Sequence, residues 1–166
     1  MPMSGRGIHA LTAALVVVAD QIVKALVRGR LDYGETLVVV PDLINLTRVH
    51  NTGAAFGMLD PVDFPFKAMV MTLLPLAALA GLAIYAATLG PEQRLSRLGL
   101  AVIIGGAAGN LIDRVTAGYV LDFVDVYWGS WHFWAFNVAD AAINIGVGLM
   151  ILDLLGVGRH RVSRAL

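Results

Sequence analysis

Apolar residues gather in four runs, 8–27, 66–89, 98–112 and 136–155. A bilayer core takes about 20 mostly apolar residues per helix. The third run is short and ends in GNLIDR, which puts Asn110, Asp113 and Arg114 at or near an interface. The stretches between the runs have another period. In 28–65, TLVVV (36–40) is β-branched, Pro41-Asp42 makes a turn and LINLTRV (43–49) is strand-like again, which predicts a β-hairpin lying on the membrane surface. The small, glycine-punctuated HNTGAAFG (50–57) suits a loop that another backbone approaches closely. In 114–135, Gly118 makes a turn and YVLDFVDVYW (119–128) alternates, placing Val120, Asp122, Val124 and Val126 on one strand face. Tyr119, Tyr127, Trp128, Trp131 and Trp134 cluster there as an interfacial aromatic belt would. The prediction is an integral membrane protein, mainly α. Residues 1–166 form a single membrane domain of four transmembrane helices, with a small β-hairpin or β-sheet element and loops on the outer face.

Composition agrees with this pattern: 58% of the residues are hydrophobic, 14% are charged, and the mean hydropathy is +0.75. With 12 Lys and Arg against 12 Asp and Glu, the formal charge is zero. There is no basic field to draw nucleic acid. The absence of cysteine excludes disulfides, thiolate metal sites and a Cys nucleophile. His9, His50, His132 and His160 lack metal-ligand spacing, so neither a metal nor a cofactor is expected. Arg94 and Arg97 crowd one link, Arg159, Arg161 and Arg164 crowd the tail, and Arg6 marks the amino end. The positive-inside rule sends all three regions to the cytoplasm. Segments 28–65 and 114–135 then share the outer face. The first run also has the look of a cleavable signal, Arg6 followed by an apolar core ending in VVA. Its apolar character resumes past Asp20, and a retained helix is expected.

Ionisable groups in a span need a reason, since an Asp at a helix centre costs about 2.5 to 3.5 kcal/mol on insertion scales. Asp20 and Lys24, at i and i+4, share a face, either as a pair that only orients the helix or as one that fixes a nearby polar site. Asn137 and Asp140, at i and i+3, open the fourth run. One reading is helix-start chemistry, Asn137 as cap and Asp140 against the dipole. The other is that Asp140 converges with Asp122, which lies on the same side of the membrane. Two carboxyls at close range cannot both ionise, so one holds a proton while its neighbour stays charged, the arrangement aspartic proteases use on water and a peptide carbonyl. Gly105 and Gly109 form a small-xxx-small packing face, with Asn110 a hydrogen-bonding member of the site. Arg114, just past the third run, either neutralises a carboxylate or sits among headgroups. Asp113 and Asp125 are ambiguous, and Asp153 and Asn144 are structural or unassigned. A small proton-coupled transporter using Asp20, Lys24 and Asp140 as a relay is the alternative, and an inert membrane scaffold a third reading.

At these residues the sequence resembles the lipoprotein signal peptidase (signal peptidase II) family. DQIVK (20–24), NTGAAFG (51–57), GGAAGNLIDR (105–114), VLDF (120–123) and FNVAD (136–140) resemble its motifs, in the family's order. Trp134 stands near where many relatives carry a proline. The resemblance implies a membrane-embedded aspartic endopeptidase with Asp122 and Asp140 as its catalytic dyad. Asp20, Lys24, Asn51, Asn110, Arg114 and Asn137 would support the site or position substrate. It further implies a diacylglyceryl-modified prolipoprotein as substrate, cut before the lipobox cysteine, and globomycin-like cyclic peptides as inhibitors. The expected setting is the bacterial cytoplasmic (inner) membrane, multi-pass and surrounded by lipid, with the chain a monomer. Both termini would be cytoplasmic and the active site would lie at the periplasmic interface.

Overall fold

The computed structural model describes residues 5–54, 58–60 and 62–157, the first two by backbone alone. Expectations resting on the Arg6 side chain, on residues 55–57 of the glycine-punctuated loop, and on Arg159, His160, Arg161 and Arg164 lie outside the described residues. The elements run α1 (Gly5–Arg30), β1 (Thr36–Val40), β2 (Ile44–Asn51), α2 (Lys67–Thr88), α3 (Arg94–Ala117), β3 (Val120–Trp128), β4 (Trp131–His132) and α4 (Val138–Leu154). The first three helices are long and apolar enough to cross a membrane. The fourth has 17 residues, about 25 Å of helix.

The third run departs from expectation. α3 continues through the polar string to Ala117, so Arg114 lies inside its last turn rather than past it, and the segment that joins α3 to α4 begins at Gly118. The helix goes on because its polar side chains find partners on α1, β3 and α4, which removes the cost of placing them there. Gly118 ends it in the left-handed region (φ 80°), donating its N–H to the Arg114 carbonyl at 3.1 Å.

α3 is the central helix, touching α1, α2 and α4. Small residues make this possible. A Cβ on Gly105 would fall 2.7 Å from the Ala13 carbonyl oxygen on α1, as the small-xxx-small reading expects. Its opposite side is equally tight, which the sequence reading did not foresee: Gly106 faces the Ala139 carbonyl, and Gly99 and Gly146 face each other's carbonyls, all at 2.5 Å.

The hairpin predicted at 36–49 is present, turning at Pro41-Asp42 with Asp42 at φ 60°. It does not stand alone. β2 pairs antiparallel with β3, giving a four-stranded sheet in the order β1-β2-β3-β4 that unites the two segments between the helices. Val49 lies opposite Asp122 and Asn51 opposite Val120. The alternation read in 119–128 implied one buried face, yet the first half of β3 is covered on both. Leu121 and Phe123 pack with Val27 of α1 and with Leu31 just past its end in an apolar core, while Asp122 on the other face is buried among amides. β1 is exposed along its whole length, as are Trp128, Trp131 and Trp134.

Candidate active site

Asp122 enters the site from near the start of β3, only 3% exposed. Its Oδ1 accepts from Asn137 Nδ2 at 2.7 Å and its Oδ2 from Asn51 Nδ2 at 2.9 Å. Asn51 reaches it because residues two apart on neighbouring strands share a face. Asp140 comes from the first turn of α4. Its Oδ1 accepts from Asn110 Nδ2 at 2.8 Å and its Oδ2 from the Asn137 backbone N–H at 3.1 Å.

Asn137 therefore joins the two carboxyls. It also caps α4, its Oδ1 accepting the Asp140 N–H at 3.0 Å to complete a capping box. The helix-start reading of this pair holds. Helix-start chemistry fixes the asparagine and aspartate backbones, and the atoms left over point at Asp122 and Asn110. Asn110 is the second link, its Oδ1 accepting from Asn137 Nδ2 at 3.1 Å and from Lys24 Nζ at 2.9 Å.

Lys24 leads to a buried charge cluster beneath the site. Its ammonium pairs with Asp20 at 2.8 Å and Asp113 at 3.0 Å, all three side chains being fully buried, and Arg28 pairs with Asp113 at 2.8 Å. Asp20 Oδ1 accepts the Ala139 N–H at 3.0 Å and so anchors the amino end of α4. Asp113 Oδ2 accepts the Leu121 N–H at 3.1 Å and so anchors β3 one residue before Asp122. Two cations answer two anions, and among the described residues no cation pairs directly with Asp122 or Asp140.

That isolation shapes the titration of Asp122. Burial, reinforced by the negative charge of Asp140, pushes its carboxyl up to about 7 against the pull of its two amide donors. A carboxyl in this range exchanges its proton near neutral pH, as a general acid requires.

The structure brings together Asp20, Lys24, Asn51, Asn110, Asp122, Asn137 and Asp140. Arg114 meets the group differently, donating from Nη2 to the Gly53 carbonyl at 2.9 Å, which ties the turn after Asn51 to the end of α3. Asp113 and Arg28 were missed as site supports. The four-residue spacing of Asp20, Lys24 and Arg28, and the i, i+3 spacing of Asn110 and Asp113, carried the signal. Asp125 belongs elsewhere: it accepts from Asn45 at 3.0 Å and lies 3.0 Å from His132 Nδ1 on the far face of β3. Asp153 takes a hydrogen bond from Ser96 across the α3–α4 contact, and Asn144 donates to the Asp140 carbonyl. His50, beside Asn51, stacks on Tyr119 and meets Tyr33 at a tilt; burial and the charges of Arg48 and Arg28 push its imidazole down.

Comparison with known proteins gives the site its family. The family model described as signal peptidase (SPase) II matches residues 12–156. The chain belongs to the signal peptidase II family. The lipoprotein signal peptidase of Geobacter metallireducens is 43% identical over 148 residues, 89% of this chain and 90% of that protein. That of Syntrophotalea carbinolica is 44% identical over 142 residues, 86% and 87% of the two chains. A solved bacterial membrane enzyme, determined by the in meso method at 2.3 Å resolution, superposes with a TM-score of 0.78 at 29% identity, covering 96% of this chain and 94% of that one. The chain is an aspartic endopeptidase of the signal peptidase II type. All five motifs quoted from the sequence fall inside the matched span.

Proposed function

We propose that Asp122 and Asp140 are the catalytic dyad and that the substrate is a diacylglyceryl-modified prolipoprotein, cut immediately before its lipobox cysteine. One observation carries this reading: two carboxyls from different elements, joined through Asn137 and Asn110 and, among the described residues, left without a direct cation, in a chain of this family. The first turn of α4 and the Asn137 N–H favour negative charge at Asp140 over Asp122. Asp140 is then the base and Asp122 the acid. The base takes a proton from water as the water oxygen bonds to the scissile carbonyl carbon. The carbonyl electron pair moves to oxygen, which is stabilised by the proton of Asp122. Collapse breaks the C–N bond, and the departing amine takes a proton from Asp140. The step as written uses no metal ion or cofactor.

Asn51, Asn110 and Asn137 hold the two carboxyls, Asp20 and Lys24 hold the asparagines and α4, and Arg114 holds the substrate-side turn. The proposed topology has α4 as the fourth span, both termini cytoplasmic, and the sheet on the periplasmic surface of the cytoplasmic membrane. Exposed β1 and the Trp128, Trp131 and Trp134 side chains support an interfacial sheet. A substrate whose acyl chains stay in lipid presents its peptide bond at that depth. Globomycin-like cyclic peptides would compete there, with the enzyme acting as a monomer. The test is cleavage of lipidated precursor by purified enzyme in lipid. Asp122→Asn and Asp140→Asn are each expected to abolish turnover while the protein stays folded, and unlipidated precursor to be cut poorly. Near-normal turnover by either variant removes the dyad, and equal cleavage of both precursors removes the lipid requirement.

A further inference from the structure

A cavity lies at the other end of the bundle from the carboxyls, where α1, α2 and α3 leave a space of about 650 Å³. Arg97, in the first turn of α3, precedes Asn110 by thirteen residues on one helix, a rise of about 20 Å. The cavity therefore opens at the leaflet opposite the dyad. Its walls are mostly small and apolar, among them Ala13 of α1, Ala87 of α2, and Ala101 and Ile104 of α3. Two polar groups enter it, Arg97 and His9. Among the described residues Arg97 makes no ion pair.

We infer that this cavity binds an anionic phospholipid, its phosphodiester against Arg97 and an acyl chain along the alanine-lined slot. Charge selects the headgroup. Among the described residues the lining holds no carboxylate, and a guanidinium offers paired donors matched to a phosphate. Shape selects the tail, since alanines in place of bulky residues leave an open channel beside an apolar helix pair, and the volume suits a ligand of this size. The basic amino end of a signal peptide, which would reach the same leaflet, is repelled by Arg97. The site is separate from the peptidase reaction and does not depend on it.

The test is native mass spectrometry of the full chain extracted from nanodiscs of phosphatidylcholine containing a minority of phosphatidylglycerol. The wild type is expected to carry phosphatidylglycerol in preference to phosphatidylcholine. Arg97→Ala is expected to lower that retention about tenfold, the scale of one charge-assisted contact. Ala87→Phe, which plugs the slot from an exposed position, is expected to do the same. Arg94→Ala, an exposed arginine one turn away and outside the cavity, is expected to change nothing. Equal retention of both lipids by the wild type, or unchanged retention in both Arg97→Ala and Ala87→Phe, overturns the proposal. Displacement of the lipid by inorganic phosphate also overturns it, by assigning the contact to a soluble anion.

Discussion

Asn137 gives its side-chain N–H to Asp122 at 2.7 Å while its backbone N–H goes to Asp140 at 3.1 Å, so one residue holds both carboxyls and starts the helix that bears the second. The two tasks separate by substitution. Asn137→Ala removes cap and bridge together, and a lost cap costs about 1 kcal/mol. Asn137→Ser restores an acceptor for the Asp140 N–H but cannot donate to Asp122 in the same way. Thermal melting in detergent is expected to rank the wild type above Ser and Ser above Ala, with turnover down about a hundredfold in both variants. Turnover that simply tracks melting temperature across the three proteins would reduce Asn137 to a cap.

The raised carboxyl of Asp122 makes two pH statements. Its proton is held up to about 7 in the folded chain against an ordinary 3.8, so the folded state binds more protons between those values. Stability from that proton is present in full below about 4 and is lost as pH rises through about 7. Under the proposed mechanism, in which the two carboxyls share one proton, turnover is expected to fall on the alkaline side of about 7. In Asp122→Asn the corresponding slope in melting temperature is expected to vanish. Parallel slopes for wild type and variant between pH 4 and 8 would contradict the assignment.

Asp113 bears two ion pairs to α1 and the hydrogen bond that fixes β3, so its loss should exceed that of its more exposed partner. Removing one member of a buried pair costs about 3 to 5 kcal/mol, and Asp113→Ala is expected in that range. The Arg28 side chain is 30% exposed, and Arg28→Ala is expected to cost about 1 kcal/mol. Asp20 and Lys24 are coupled, so the double alanine variant is expected to be less harmful than the sum of the single ones. Denaturation in detergent measures all of these. Strict additivity at 20 and 24, or equal costs at 28 and 113, would dismantle the cluster as described.

Much of the site was legible because polar residues stand out in an apolar chain. Asp20, Lys24, Asn137 and Asp140 declared themselves by interrupting runs, and helical spacing paired them correctly. What the pattern could not carry was partnership between distant segments. The pairing of β2 with β3 depends on backbone hydrogen bonds that any residues make, so the four-stranded sheet was invisible while the hairpin, marked by Pro41-Asp42, was plain. Asp113 was ambiguous for the same reason: its partners Lys24 and Leu121 N–H lie on other elements. The length of α3 was underestimated because polarity was read as a helix end, whereas burial with partners let the helix continue.

Gly109 gives the most local test of how α3 admits the charge cluster. Glycine inside a helix is ordinarily less stable than alanine by about 1 kcal/mol, and at Gly148, where an added Cβ meets nothing within 4 Å, the Gly148→Ala variant is expected to gain up to that amount. At Gly109 the added Cβ would fall 2.6 Å from Asp20 Oδ2, the oxygen paired with Lys24 at 2.8 Å. Nothing there gives easily, because the other Asp20 oxygen is tied to the Ala139 N–H and Lys24 is shared with Asp113 and Asn110. Overpacking of this kind costs about 1 to 3 kcal/mol, enough to outweigh the helix-propensity gain. Gly109→Ala is therefore expected to lower the melting temperature in detergent and, by shifting Lys24 and Asn110 away from Asp140, to reduce cleavage as well. If Gly109→Ala and Gly148→Ala move the melting temperature in the same direction, the close approach of Asp20 to α3 is not what glycine at 109 serves.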